Sequence, residues 1–407
     1  MRRHSVLILL LVGAAVSSAQ TMTLEQALQA AVHGNPWLTA GEQRVIAAEG
    51  LKLQAGLKPN PRLNLQHENV RAWELNPGEV YWRDTDTTIY GSFLIERGGK
   101  RERRIDYASA GVARASSEHH QLEFDIKSRV AAAYWSAVAS ARIRDLYRED
   151  VGNFEHIVEY NRQRVDEGAA PGVDLIRMEV ERDRLMTSAR LAEHDAEQAK
   201  ITLFREMGSA EFPEVTLTSP IEAIPEPTLP GIDAVFQTRP EIQVAETVVR
   251  QNEQNLALQR AEAKPDPDVQ IGYERNYGFD TLFAGFSIPL AIRNRNQGNI
   301  AAAEADLRSA RNDLQALKNQ VRAEVEAAVR DYTSRKKTVI ETVVPLRRRT
   351  REAADLALGA YREGGVDLLR FLDAERVRIE TEVLYYRSLA DLQQSVVALK
   401  RAEGKEQ

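Results

Sequence analysis

The chain carries one succession of motifs twice, about 200 residues apart, and any fold it adopts has to accommodate both copies. Lys58-Pro59-Asn60-Pro61-Arg62-Leu63-Asn64-Leu65 is echoed by Lys264-Pro265-Asp266-Pro267-Asp268-Val269-Gln270-Ile271. Tyr160 to Arg177, which ends Gly172-Val173-Asp174-Leu175-Ile176-Arg177, is echoed by Tyr361 to Arg370, which ends Gly365-Val366-Asp367-Leu368-Leu369-Arg370. Asn35-Pro36-Trp37-Leu38 likewise answers to Arg239-Pro240-Glu241-Ile242. A tandem copy of this length is a duplicated domain-scale unit rather than a solenoid of short repeats.

Each copy opens with helical writing, over Leu24 to Leu57 and over Ile232 to Ala263, interrupted by Pro36 or Pro240 so that a short helix precedes a longer one. The Pro-x-Pro element then stops the helix and starts an extended segment. In Arg62 to Glu68, Leu63 and Leu65 alternate with polar neighbours, and Val269, Ile271 and Tyr273 do the same in the second copy. Return strands follow, with Ile89, Gly91, Phe93 and Ile95 on one face of Thr88 to Ile95, and Leu282, Ala284, Phe286 and Ile288 on one face of Leu282 to Ile288. A long polar loop, Asn69 to Thr87, joins the first pair of strands, and a short one near Asn276 to Asp280 joins the second. From Arg101 to Glu167 and from Gly298 to Glu363 there is almost no helix breaker, so each run is a helix of ~100 Å. Pro345 is the exception and predicts a local kink. Each long helix ends at a Gly-containing turn, and a further helix returns from it over Val173 to Met207 and over Val366 to Arg401.

Four domains of sequence result: a signal peptide over 1–19, a first repeat over 20–207, a Pro-rich linker over 208–231 and a second repeat over 232–407. The signal is read from Arg2 and Arg3, the apolar run Val6 to Val16 and the small residues Ser17-Ser18-Ala19. That run is too short to span a bilayer, and no later apolar run approaches ~18 residues. Loss of Arg2 and Arg3 with the signal takes the formal charge from −6 to about −8, which, with no basic tract, predicts no nucleic-acid partner. Without cysteine there are no disulfides, no thiolate chemistry and no lipidated cysteine at the new N-terminus.

Four strands with one apolar face cannot close a transmembrane barrel alone, since about eight is the smallest. Open edges cannot face lipid either, because every backbone N–H and C=O there needs a partner. Three chains would supply twelve strands and a water-wide lumen; other multiples satisfy the same arithmetic. The fold class expected is therefore mostly α with a small β part: duplicated long-helix hairpins forming an α-helical tunnel, plus a transmembrane β-barrel assembled from four strands per chain in a trimer.

The succession of signal, helix pair, Pro-x-Pro strand, return strand and long helix, twice over, resembles the TolC family of outer-membrane efflux factors. The local motifs that carry the resemblance are Lys58-Pro59-Asn60-Pro61-Arg62-Leu63, Glu96-Arg97-Gly98-Gly99-Lys100-Arg101, Pro289 to Asn299, and Tyr361-Arg362-Glu363-Gly364 with Leu372-Asp373-Ala374-Glu375-Arg376. The Gly-Gly-Lys-Arg and Asn-Arg-Asn-Gln-Gly elements are most similar to the heavy-metal, cobalt–zinc–cadmium (CzcC-like) branch. The resemblance implies a homotrimeric exit duct, its barrel in outer-membrane lipid and its tunnel in the periplasm. The tunnel would meet a periplasmic adaptor (membrane fusion) protein and, through it, an inner-membrane efflux pump of the resistance-nodulation-division type.

The resemblance also marks candidate residues. The helix-turn-helix tips, with Gly168, Pro171 and Gly172 in one and Gly364 and Gly365 in the other, are the expected adaptor-docking surface; the glycines also suit a helix C-cap and turn. Asp174 and Asp367 stand where a side-chain oxygen caps the following helix, and they share with Asp373 and Arg370 the expected place of a periplasmic gate. In the family the helix after the second tip bears two acidic positions around the closed entrance; here Asp373 holds the second and Arg370 the first. Three Asp373 carboxylates would form a cation-sensitive ring, unless Asp373 is simply solvated or paired with Arg370.

No catalytic, cofactor or metal site is expected. His119 and His120 diverge by ~100° on a helix, and the chain has no helical His-x-x-x-His, no Gly-x-Ser-x-Gly and no phosphate-binding loop. Glu179 and Glu181 read as ordinary surface charges. The expected function is passive conduction of substrates, with heavy-metal cations favoured and drugs or other organic compounds as the alternative cargo. A periplasmic coiled-coil structural or adaptor protein is the rival of another class; duplicated hairpins with amphipathic strands between them count against it.

Overall fold

The computed structural model describes residues 20–70, 77, 78, 80, 84–226 and 231–405. Residues 1–19, where a signal peptide is expected, most of the first inter-strand loop, and Pro227 and Pro230 of the expected linker lie outside the described residues.

Chain order gives β1 (Gln20–Met22), α1 (Leu24–Gly34), α2 (Pro36–Ala55), β2 (Arg62–Glu68), β3 (Asp86–Leu94), α3 (Lys100–Asp166), α4 (Gly172–Met207) and β4 (Val215–Leu217). The second half continues as α5 (Ile232–Thr238), α6 (Pro240–Glu262), β5 (Asp268–Asn276), β6 (Phe279–Ser287), α7 (Gln297–Thr338), a π turn (Val339–Val343), α8 (Val344–Arg362) and α9 (Leu368–Glu403).

Local chemistry sets the boundaries. Thr23 and Gln26 form a capping box at the start of α1. Asn35 ends that helix in an extended conformation and caps the next, its Oδ1 accepting from Trp37 N at 3.0 Å, while Pro36 takes a position where no N–H is needed. Pro345 has no N–H to donate one turn back, and the helix absorbs the defect by widening into the π turn immediately before it. The kink predicted at Pro345 is thus a local change of helix type.

The main core lies where α1, α3, α4, α7 and α9 meet, with Ile126, Val130, Tyr134, Leu203, Val339, Leu392 and Val396 among its buried members. Its many alanines, such as Ala131, Ala137 and Ala139, let the long helices approach closely. The parallel pair β1–β4 crosses this region, and Tyr134 Oη, donating to Met22 O at 2.9 Å and accepting from Ser219 N at 3.2 Å, ties it to α3. The segment following α4 is more than a tether: Ile221 is fully buried, and Gln393 Nε2 donates to Ile221 O and Ala223 O at 3.0 and 2.6 Å.

At one end stands a four-stranded antiparallel sheet in the order β2-β3-β5-β6. The register aligns Leu65, Ile89, Tyr273 and Leu282 in one row and Leu63, Gly91, Ile271 and Ala284 in the next. Residues directly opposite one another share a face, so most of the apolar side chains of the strands lie on one side, while Tyr90, Phe283 and Leu94 stand on the other. Gly272 has to be glycine: a Cβ there would stand 2.5 Å from Ile89 O. The β5–β6 turn is the two-residue Tyr277-Gly278, both at positive φ, as a tight hairpin requires. Asp266 seats this sheet on the helices, accepting from Arg97 N at 2.8 Å and from Lys100 Nζ at 2.6 Å.

Candidate functional site

The amphipathic sheet and the helix tips are the two surfaces with chemistry to offer. On the sheet, Leu282 is 86% exposed and Leu63 80%, with Leu65, Ile271 and Phe286 also bare. A contiguous apolar face of this size needs an apolar medium or partner, and the outer edges of β2 and β6 need further strands. Among the described residues no helix is long and apolar enough to cross a membrane, which says nothing of a β wall.

The tips are built alike. At the first, Gly168 takes φ +70°, Gly168 N donates to Val165 O at 2.9 Å and Ala169 N to Arg164 O at 2.7 Å. At the second, Gly364 takes φ +76°, Gly364 N donates to Tyr361 O at 3.1 Å and Gly365 N to Ala360 O at 2.7 Å. Both are helix ends closed by a left-handed glycine. This chemistry pairs Gly168 with Gly364 and puts Tyr361 level with Val165, so the sequence echo of Tyr160 and Tyr361 is not a structural equivalence. A Cβ at Gly168, Gly172 or Gly364 would meet nothing within 4 Å, so the tip backbone is bare.

The acidic residues separate. Asp367 is the N-cap of α9, its Oδ1 accepting from Arg370 N at 2.9 Å. Asp174 caps nothing: Pro171 holds the N-cap position of α4 without a side-chain bond, and Asp174 sits inside the first turn. The two connections, 167–171 and 363–367, are equally long, and Pro171 takes the N-cap place that Asp367 takes in the second, so Asp174 falls inside the helix, which corrects the symmetric capping expected from sequence. Asp373 is exposed and pairs with Arg376 at 2.6 Å, not with Arg370, whose contact to this region is its backbone N–H. Arg376 lies one turn further along α9 and reaches back at i,i−3.

Behind the tips, residues that sequence reasoning passed over tie the two hairpins together. Tyr361 donates its hydroxyl to Asn161 Oδ1 at 2.5 Å and stacks on Phe371 with ring centroids 5.4 Å apart. Arg378 bridges Asp150 at 2.6 Å and Glu375 at 2.7 Å. Burial pushes the Asp150 carboxyl up from its usual range, against the pull of Arg378. Nearer the π turn, fully buried Glu382 accepts from Arg347 Nε at 3.0 Å and from Arg351, and the Arg347 guanidinium lies 3.9 Å from the Tyr385 ring centre. Burial alone would raise the Glu382 carboxyl, but the hydrogen bonds from both arginines prevail and hold it below its ordinary value. The signal was present: Asp150 and Asn161 occupy positions in the apolar stripe of Tyr147, Val151, Phe154 and Val158. Among the described residues no group of three metal-binding side chains converges.

A protomer with paired long-helix hairpins at one end and an open, outward-apolar sheet at the other is one segment of a tunnel continued by a barrel wall. Residues 27–209 match the family described as outer membrane efflux protein. The chain is 24% identical over 397 residues to the cobalt-zinc-cadmium resistance protein CzcC of Cupriavidus metallidurans, covering 95% of this chain and 91% of that one. Its fold is similar to the open state of the MtrE outer membrane channel of Neisseria gonorrhoeae, with TM-score 0.78, 17% identity and coverage of 94% and 89%. It is also similar to CusC, with TM-score 0.76, 17% identity and coverage of 94% and 92%. Residues 27–209 thus carry the likeness to the outer membrane efflux protein family, and the chain as a whole has the fold of these outer-membrane channels.

Proposed function

We propose that three copies of the chain form the outer-membrane duct of a tripartite efflux system that expels heavy-metal cations. The observation that carries the duct is the sheet: one apolar face, one largely polar face and two unpaired edges. Three such sheets close into a barrel with lipid outside and water within. The sequence repeats, 20–207 and 232–407 joined by 208–231, then place six hairpins around the same axis as a periplasmic tunnel, delivered after cleavage of residues 1–19. The bare glycines of both tips suit close approach by helices of a periplasmic adaptor, which couples the duct to an inner-membrane pump of the resistance-nodulation-division type. The cation cargo rests on the likeness to the cobalt-zinc-cadmium resistance protein. The duct conducts rather than holds its cargo, since a channel must release what it passes.

Growth of a deletion strain across graded zinc, cobalt, cadmium, detergents and antibiotics tests the cargo. Hypersensitivity confined to metals supports it, and sensitivity to organic compounds alone replaces it. For the gate, three Asp373 carboxylates around the axis would bind multivalent cations. Asp373→Ala is expected to relieve cation block of single-channel current by about tenfold, and unchanged block removes Asp373 from the gate. For docking, Gly172→Leu has room to fold. It should leave conductance intact and abolish metal resistance; retained resistance moves the adaptor elsewhere.

A further inference from the structure

The apolar face of the sheet is shorter than the bilayer it would line. Along β6 and just past its end, the apolar positions of that face run from 282 to 288, roughly 20 Å at a rise of about 3.4 Å per residue. A barrel tilt of about 40° leaves about 15 Å across the bilayer, against an apolar band of about 25 Å in transmembrane barrels. The band cannot grow away from the helices, because the next row on that face is His67, Thr87, Arg275 and Asp280, all polar. The missing length, about 10 Å, has to come from the helix side.

Apolar side chains are bare there, beyond the strands. Ile95 is 50% exposed, and in the loop between β6 and α7 Leu290 is 77% and Ile292 72% exposed. The ladder runs on to Ile95, whose N–H donates to Pro267 O at 2.9 Å, and the loop turns where Ile292 N donates to Leu290 O at 2.8 Å. Cations follow at once: Arg97 two positions after Ile95, and Arg293 and Arg295 just after Ile292. All three are exposed, and among the described residues none has a carboxylate partner. The acids of this rim are engaged elsewhere, Glu96 with Arg104 and Asp266 with Lys100 Nζ and Arg97 N. The far end of the sheet has the opposite sign, for Glu68, Asp86, Glu274 and Asp280 outnumber Arg275 there.

We propose that residues 290–295 are an interfacial anchor that binds anionic phospholipid in the leaflet on the tunnel side. Leu290 and Ile292 enter the acyl region and complete the apolar band, while Arg293 and Arg295, with Arg97 on the same rim, hold lipid phosphates. A guanidinium suits a phosphodiester through two parallel N–H bonds. The anion comes as a lipid, because a free phosphate leaves Leu290 and Ile292 in water, and a phospholipid covers the apolar pair and the cations together. The proposal rests on the sheet being a barrel wall and adds which lipid that wall recognises.

The chain has no cysteine, so a single bimane can be placed at Ile292→Cys in the assembled full-length protein. In phosphatidylcholine bilayers, lipid carrying a nitroxide on its acyl chain should quench it. The same lipid should quench bimane at Ile271→Cys, in the wall, where the side chain is 60% exposed. Quenching at 271 but not at 292 overturns the anchor and leaves the barrel standing; quenching at neither overturns both. Nitroxide-labelled phosphatidylglycerol should bind beside position 292 about threefold more tightly than its phosphatidylcholine counterpart, and equal affinities overturn the phosphate site. Arg293→Gln with Arg295→Gln should erase that preference while bimane at 292 stays quenched; a preference kept in this variant also overturns the site. Excess inorganic phosphate should leave the preference unchanged. If it abolishes the preference, the arginines hold a free anion and the lipid is not their ligand.

Discussion

The two hairpins share one architecture but hold their shape differently. The first long helix, α3, runs unbroken for 67 residues and ends at a tip whose return helix has no side-chain cap. The second is divided by a π turn and Pro345, then braced by the Arg347–Glu382–Arg351 cluster, and its return helix starts at a capping Asp367. Continuity stiffens the one, while point contacts restore the stiffness that the defect removes from the other. A hairpin held by point contacts is the one that a few changes can loosen, so motion at the tips should concentrate in α8 and α9.

The largest test of that contrast removes the brace. Glu382→Ala leaves two arginines facing a void and should cost about 3 kcal/mol. Amide exchange should quicken in α8 and α9 and stay unchanged in α3 and α4; equal loosening of both hairpins breaks the comparison. The same brace predicts a pH dependence. The folded carboxyl of Glu382 lies below its unfolded value, so its stabilisation is complete above the unfolded value and is lost as pH falls through the folded one. Acid should therefore free α8 and α9 first.

The tie between hairpins comes next. Tyr361→Phe keeps the ring stacked on Phe371 but strands Asn161 Oδ1 in a buried place, at a cost of about 1–2 kcal/mol. Exchange at both tips should rise together, and a change confined to one tip would show that the bond does not couple them. The smallest test compares the two aspartates. Asp367→Ala should cost about 1 kcal/mol as a lost N-cap. Asp174→Ala should cost about 0.3 kcal/mol, through the helix dipole alone. Equal losses would mean that the tips are equivalent after all.

Much of this molecule was legible in the chain. The alternation in Leu63 and Leu65, and in Val269, Ile271 and Tyr273, marked strands because a half-buried strand has a period of two. The Pro-x-Pro elements and the tip glycines marked ends because they act on their own backbone. The position of Asp174 was misread because its match to Asp367 is a likeness of letters; in tips of equal length the Gly-Val-Asp run stands three positions later in the first, inside the helix. Arg370 looked the natural partner of Asp373 at the same spacing at which Arg376 in fact pairs, and rotamers around a helix, not spacing, decide between them.

The sequence by itself determined the order of elements, their ends and the apolar side of the sheet, since each depends on residues within a few positions of one another. Only the tertiary structure decided which charges are buried and with whom: Asp150 with Arg378, Glu382 with Arg347 and Arg351, and Asn161 with Tyr361, about 200 positions on. Partners so far apart in the chain meet through the packing of whole helices, and no local pattern of residues records which faces those helices turn to each other.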